Sequence, residues 1–156
     1  MNSKIIFLIY SKIISDEKNI EYILKRLKLI YNFNKETKAS IKFGLNSALQ
    51  IMKNNKKTLN LIFIFYKKSL ETLINLILLK YKDLENNKLY FINNDEIKNF
   101  NNLFNIKKLM AFTIIKNDKN EKVIEEIKNN LSNYNAFNNE LIPIYYTNIK
   151  ETTIEQ

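Results

Sequence analysis

The chain has 156 residues and a formal net charge of +9, with one Gly, one Pro and neither Cys nor His. This length is typical of one domain that buries about two thirds of its unfolded surface in a single core. Without Cys and His, the chain can build no disulfide, no zinc site of the usual ligands and no catalytic relay through an imidazole. The single glycine, Gly44, also excludes the Gly-rich loops that bind nucleotide phosphates. We therefore expect no cofactor, no bound metal and no catalytic residues.

Carboxylates that are adjacent in the sequence are the remaining candidates for catalysis. They lie where helices are predicted, which favours an ordinary solvated helix face over acid–base chemistry. A small-molecule substrate is therefore not expected. The pairs are Asp16 with Glu17, Asp95 with Glu96, and Glu125 with Glu126.

The N-terminal stretch from Ile5 to Tyr10 is apolar. Six residues, followed closely by Lys12, are too few for a secretory signal and far too few for a membrane span. We expect a soluble, intracellular protein with no membrane partner.

Apolar residues in the first half of the chain alternate between helical and strand spacing. Either Ser15 or Asp16 can cap the first helix. The run LNLIFIFY is almost uninterrupted and β-prone, which is typical of a central strand covered on both faces. The predicted elements are a helix over 17–31, a short strand over 41–43, a helix over 45–52 and a strand over 59–66.

The second half continues the alternation. Asn94 is predicted to cap the fourth helix. The predicted elements are a helix over 70–81, a strand over 88–92, a helix over 97–104, a strand over 109–116 and a helix over 123–131.

This alternation predicts the α/β class, as a compact three-layer α/β/α sandwich around a small mixed sheet. We assign residues 17–132 to the domain, with an N-terminal extension over 1–16 and a C-terminal extension over 133–156. The C-terminal extension contains an apolar segment, 141–146, which we expect to lie on the surface of the domain.

Positive charge is concentrated in the predicted core. Residues 22–117 hold 18 basic and 6 acidic side chains, a balance of +12, whereas residues 118–156 hold 4 basic and 7 acidic, a balance of -3. Between residues 37 and 70 there are seven lysines and no acid. Such a patch attracts phosphate, and a helix N-terminus adds N–H donors, so nucleic acid is favoured as a partner. The alternative is that lysine is simply a common polar residue in this chain and does not indicate a nucleic-acid partner.

The segment 42–50, KFGLNSALQ, resembles the Gly-x-Asn-Glu-x-x-Lys helix start of the kink-turn-binding ribosomal protein superfamily. The order of elements over about 17–132 is also similar. The resemblance implies an α/β/α sandwich that binds a structured RNA with a kink-turn-like internal loop. Ser47 stands where the family has Glu, and Gln50 where it has a basic residue, so we expect altered or weaker base specificity.

By the same resemblance, Asn46 would contact a base edge, Gly44 would allow close approach and Lys42 would contact phosphate. The loop after the fourth helix would hold an extruded nucleotide, with its apolar members packed on the base. The candidate RNA-binding residues are Lys42, Gly44, Leu45, Asn46, Ser47, Gln50, Lys67, Lys68, Ile106, Lys107, Lys108 and Leu109.

Three features are most similar to one branch of that superfamily, a protein subunit of eukaryotic ribonuclease P and ribonuclease MRP (the Pop-three or thirty-eight-kilodalton type). They are the long first helix, the charged helix from Lys122 to Ile127, and the segment 141–146. This implies a non-catalytic, nuclear or nucleolar subunit that supports tRNA 5′-end or rRNA processing and contacts other protein subunits, through 141–146. A ribosomal or small nucleolar ribonucleoprotein member and a protein-interaction scaffold without RNA binding remain alternatives.

Overall fold

A computed structural model describes residues 12–31, 40–54, 57–81 and 86–137. Strands and helices alternate along the described chain, as the hydrophobic pattern predicts. The strands are β1 (Ile13–Ile14), β2 (Ile41–Phe43), β3 (Asn60–Tyr66), β4 (Asn87–Asn93) and β5 (Ala111–Ile115). The helices are α1 (Glu17–Tyr31), α2 (Leu45–Asn54), α3 (Glu71–Tyr81), α4 (Ile97–Phe104) and α5 (Glu121–Asn130), with short 3-10 turns at Lys68–Leu70, Asn94–Glu96 and Ser132–Tyr134.

The five strands form one mixed sheet in the order β1-β4-β3-β5-β2. β1, β4 and β3 run parallel, whereas β5 runs antiparallel to both β3 and β2. As a result, the C-terminal ends of β1, β2, β3 and β4 and the N-terminal end of β5 lie at one end of the sheet.

One face of the sheet packs against α1, α4 and α5. The strand side chains on this face include Phe63, Phe65 and Phe112, all fully buried. Helix residues at spacings of three and four, such as Ile20, Ile23 and Leu27 of α1, cover them.

The opposite face packs against α2 and α3. Ile62 and Ile64 alternate with the phenylalanines of β3, so the central strand is covered on both sides, as its unbroken apolar run predicts. Ala48 and Met52 of α2 and Ile74 and Leu78 of α3 cover this second face. The predicted three-layer α/β/α sandwich with a small mixed sheet is therefore confirmed.

Beyond shifts of one or two residues at element ends, the structure differs from the predictions at β1, at the start of β5 and at the turn before α4. Ile13 and Ile14 pair with Phe91 and Ile92 of β4 as an edge strand that was not predicted. The last strand is shorter than 109–116, because its first residues belong to a loop. The side chain of Asn93, not that of Asn94, accepts a hydrogen bond at the turn before α4, from the N–H of Asp95.

At α1 the predicted bounds 17–31 agree with the structure. Of the two predicted caps, Asp16 fills the position: its Oδ2 accepts a hydrogen bond from the N–H of Asn19 at 3.1 Å. Desolvation by burial raises the pKa of the Asp16 carboxyl, but hydrogen bonds from the side-chain amide and the backbone N–H of Asn19 outweigh it, so the pKa is lowered.

Packing reaches residues on both sides of the 17–132 range. Ile14 is fully buried, and Ala136 and Phe137 are buried on the second face. The N–H of Ala136 donates to the carbonyl of Leu89 at 2.7 Å, and the N–H of Leu89 donates to Oδ1 of Asn135. Residues 135–136 thus cover the edge of β4 where β1 does not reach. The apolar stretches 5–10 and 141–146 lie outside the described residues.

Among the described helices, none has the length and apolar character that a membrane crossing requires.

Candidate nucleic-acid interface

The turn from β2 into α2 is built on the only glycine. Gly44 has φ of +100°, a conformation that side-chain-bearing residues rarely adopt. Its N–H donates to the carbonyl of Ala111 at 2.8 Å, and its carbonyl accepts from the N–H of Ala48 at 3.2 Å. Gly44 is therefore the N-cap residue of α2 and is held against the start of β5.

Because glycine has no side chain, it cannot cap the N–H groups of the first turn of α2. Asn46 in that turn is exposed, Leu45 and Ser47 are half-buried, and Gln50 is exposed one turn further along. Leu45 packs against the second core cluster, so its side chain serves the helix–sheet contact. The outer side of the helix start presents Asn46 and Gln50 on the same face, four residues apart.

The sheet register brings three separate segments to the same end. Phe43 pairs with Phe112, and Ile64 pairs with Ala111. The N–H of Phe65 donates to the carbonyl of Met110 at 3.1 Å. The end of β2, the end of β3 and the loop before β5 are therefore neighbours, and Lys67 and Lys68 follow directly from β3.

The loop between α4 and β5 begins at a left-handed residue. Asn105 has φ of +56° and ends α4, and the N–H of Ile106 donates to the carbonyl of Asn101 at 3.1 Å. Phe104, the last residue of α4, holds this loop in place through edge-on ring contacts with Phe43, at 5.0 Å between centroids, and with Tyr31, at 5.3 Å.

The four candidate residues of this loop differ in exposure. Lys107 and Lys108 are exposed, and Ile106 is half-buried against the first core cluster. Leu109 is only 2% exposed and belongs to that cluster, which corrects its assignment as a base-contacting side chain. Leu109 lies in the loop before β5, and its side chain packs on the α1, α4 and α5 side of the sheet. Ile106 is the one apolar side chain of the four that retains exposed surface.

We call the basic residues at or near this end of the sheet the lysine cluster: Lys42, Lys67, Lys68, Lys107 and Lys108, of which Lys67 is half-buried and the others are exposed. Lys42 lies on edge strand β2, opposite Thr113, with its side chain exposed. Within the described part of the chain, none of the five forms an ion pair. Their side chains are therefore not held in ion pairs with described carboxylates; the acid nearest in the fold is Asp95, which lines the same crevice as Lys67 and Lys68.

The opposite end of the sheet also has lysines, and two of them form ion pairs. Lys116 contacts Glu125 at 3.0 Å and Glu121 at 3.4 Å, and Lys128 contacts Glu125 at 2.9 Å. The hydrogen bonds from Lys128 and Lys116 lower the pKa of the Glu125 carboxyl, and the bond to Glu125 raises the pKa of Lys116. These ion pairs distinguish Lys116 and Lys128 from the five lysines of the cluster.

Sequence reasoning missed a polar crevice of about 390 Å³ beside the lysine cluster. Asn93, Asn94 and Asp95 at the end of β4 line it together with Lys67 and Lys68. The Oδ1 atom of Asn94 is buried and has no hydrogen-bond partner among the described residues. The topology could have indicated the crevice, because parallel sheets form crevices where successive helices pack on opposite faces, as α3 and α4 do here.

Among the described residues, no group of three or more Asp and Glu side chains is placed to hold a metal ion. This part of the chain therefore offers no carboxylate cluster for metal-dependent chemistry.

Replacing Gly44 with Ala tests the backbone role of this residue. A Cβ at position 44 would meet no atom within 4 Å, so the cost comes from the positive φ alone. We expect a loss of about 1 to 2 kcal/mol in the free energy of unfolding, measured by urea titration. Ser47→Ala, at an ordinary helical position in the same turn, should change stability by about 0.5 kcal/mol or less. Equal stability of Gly44→Ala and the unmodified protein would contradict the assignment.

The fold is similar to that of a solved structure, a 15.5 kDa RNA-binding protein of Giardia lamblia. The superposition has a TM-score of 0.58 and 18% sequence identity, and it covers 76% of this chain and 92% of the Giardia protein. At this identity the similarity concerns the fold. No protein-family model and no curated protein sequence matches the chain.

Proposed function

We propose that this chain is an RNA-binding protein and that the end of the sheet carrying the lysine cluster and the start of α2 is its RNA-binding surface. The observation that carries the proposal is the convergence of three segments that are distant in sequence. They bring lysines without ion pairs to described carboxylates close to a helix start whose N-cap residue is glycine. Phosphate contacts supply most of the affinity in RNA binding, and helix N–H donors add to them.

The arrangement suits a bent RNA better than a regular duplex. A kinked internal loop crowds phosphates of two strands together and exposes base edges that a regular RNA helix hides. The lysines of the cluster are spread over three segments, and they would contact phosphates on both sides of such a bend. Asn46 is exposed at the start of α2, and its side-chain amide can both donate and accept hydrogen bonds.

Two further observations support the proposal. The Giardia protein with the similar fold is an RNA-binding protein. The segment 42–50 also resembles the RNA-contacting helix start of the kink-turn-binding superfamily, and its Gly44 occupies the backbone conformation that only glycine adopts easily.

As a finer assignment, we propose a non-catalytic subunit of the ribonuclease P or MRP particle, acting in tRNA 5′-end or rRNA processing in the nucleus or nucleolus. Support comes from the sequence resemblance of α1, of the charged helix α5 and of the segment 141–146. In such a particle the RNA supplies the catalytic centre, which suits a chain without histidine or cysteine. Sequencing the RNA that co-purifies with the tagged protein distinguishes this particle from a ribosomal or small nucleolar one.

Asn46→Ala tests the base contact. We expect about tenfold weaker binding to a kink-turn RNA, because a base contact is worth about 1 to 3 kcal/mol. Asn54→Ala is the matched control: it removes the same side chain from an exposed site about 12 Å further along α2. Fluorescence anisotropy at fixed salt measures both variants. Equal affinity of Asn46→Ala and the unmodified protein would exclude base recognition by this residue.

A protein-interaction scaffold is the alternative outside RNA biology. It would be favoured if the protein bound RNA without salt dependence, or not at all, and if deletion of residues 141–146 removed it from its complex. A kink-turn RNA and an unbent duplex of the same length, each titrated over several salt concentrations, provide that comparison.

A further inference from the structure

The outer face of α3 carries one large apolar side chain, Leu76, between Thr72 and Lys80, which lie one helical turn away on either side. Leu76 is 59% exposed, more than any other large apolar side chain among the described residues. Leu73 and Leu79, half-buried, flank it on the two sides of the helix. We call Leu73, Leu76 and Leu79 the α3 stripe; the described residues leave its outer side uncovered.

The path of the chain after α5 leads to this face of the molecule. Tyr134 packs with the first core cluster, whereas Ala136 and Phe137 are buried in the second cluster, which contains α3. The chain therefore passes around the β4 edge of the sheet between residues 134 and 137. It reaches Phe137 on the α3 side with 19 residues still to follow.

The residues that follow have the right composition and reach. Four residue steps separate Phe137 from Leu141, enough for about 14 Å of extended chain, and a helix with its side chains is about 10 to 12 Å wide. The segment 141–146 has the sequence LIPIYY, which is entirely apolar or aromatic and carries no charge. Leaving such a segment in water is unfavourable, because burial of its apolar surface would lower the free energy.

A buried polar atom on the same helix also lacks a partner. Asn75 is 7% exposed, and its Oδ1 accepts no hydrogen bond from the described residues. Leu79 lies between Leu76 and Asn75 around the helix, so a segment laid over the α3 stripe would pass beside this amide. One backbone N–H of that segment would supply the donor.

We propose that residues 141–146 of the same molecule pack on the α3 stripe. The other apolar stretch outside the described residues, 5–10, is the weaker candidate, because Lys12 bonds the carbonyl of Asn133 on the α5 side. This inference goes beyond the proposed function and does not depend on RNA binding.

Paired cysteines test the contact in the full-length chain, which has no natural cysteine. Leu76→Cys with Ile144→Cys should form an intramolecular disulfide in a glutathione redox buffer. We expect the effective concentration of the two thiols in this pair to be at least tenfold higher than in a control pair, Lys53→Cys with Ile144→Cys. The control places its first thiol at an exposed site in the same helical layer. Mass spectrometry at low micromolar protein separates intramolecular from intermolecular products.

Three outcomes would overturn the proposal. They are equal effective concentrations for the two pairs, a disulfide-linked dimer as the main product, and faster crosslinking of Leu76→Cys to Ile6→Cys than to Ile144→Cys. The second would indicate another copy of the chain on the stripe, and the third would indicate residues 5–10.

Hydrogen exchange on variants without cysteine gives an independent measurement. Leu76→Glu should accelerate amide exchange in 141–146 by about tenfold or more relative to the unmodified protein. Leu29→Glu, which changes an exposed leucine on α1 at the other face of the sheet, should leave that exchange unchanged. Free-peptide exchange rates for 141–146 in the unmodified protein would contradict the proposal.

Discussion

Replacing Lys67, Lys68, Lys107 and Lys108 together with Ala is expected to weaken binding to a kink-turn RNA by about 100-fold or more at 0.15 M salt. Each phosphate contact contributes about 0.7 to 0.9 to the slope of log K against log salt, so the slope should fall by about 3 to 4. Titrations at several salt concentrations measure both quantities. Lys68, Lys107 and Lys108 are exposed and Lys67 is half-buried, so the unfolding free energy should change little.

The control removes the same amount of charge elsewhere. Lys18, Lys25, Lys28 and Lys122 are exposed on α1 and α5, away from the lysine cluster. Their combined replacement by Ala should leave most of the affinity and the salt slope intact. Similar losses for the two quadruple variants would mean that RNA responds to net charge only and would contradict the assignment of the surface.

Phe112→Ala is expected to have the largest effect on stability. Phe112 is fully buried, and its ring lies 4.8 Å from Phe63, 5.3 Å from Phe104 and 5.6 Å from Phe100, measured between centroids. Truncation of a buried phenylalanine costs about 3 to 5 kcal/mol, which is a large part of the 5 to 15 kcal/mol typical of a domain. Urea unfolding followed by circular dichroism measures the loss.

An apolar side chain at the surface provides the comparison. Leu29 is 45% exposed, and Leu29→Ala should cost about 0.5 kcal/mol. Phe112→Leu keeps most of the apolar volume and should cost less than Phe112→Ala. If Phe112→Ala cost no more than Leu29→Ala, the aromatic cluster could not be the centre of the core.

The long elements could be predicted because their patterns are repeated many times. Helix α1 shows its apolar stripe over four turns, and β3 is an apolar run bounded by polar residues. Strand β1 could not be predicted, because two residues contain no periodicity and Ile13–Ile14 becomes a strand only by pairing with β4. The prediction placed the capping side chain before α4 at Asn94 instead of Asn93, because these neighbouring residues have the same side chain.

The candidate surface was predictable in its parts but not in its assembly. The sequence indicates the special role of Gly44, since it is the only residue without a Cβ near a predicted helix start. It also indicates the basic bias. The placement of Lys107 and Lys108 beside the end of β3 depends on the antiparallel register of β5, which local sequence does not determine.

The short contact of residues 135–136 with β4 has a consequence for self-association. An unpaired strand edge is a template for pairing with another chain. β1 covers only Phe91 and Ile92 of β4, and Leu89 nearer the start of the strand would be open without the two hydrogen bonds to Asn135 and Ala136. The polypeptide after α5 therefore protects the sheet against aggregation, and a shortened chain has to extend past Ala136 to keep that protection.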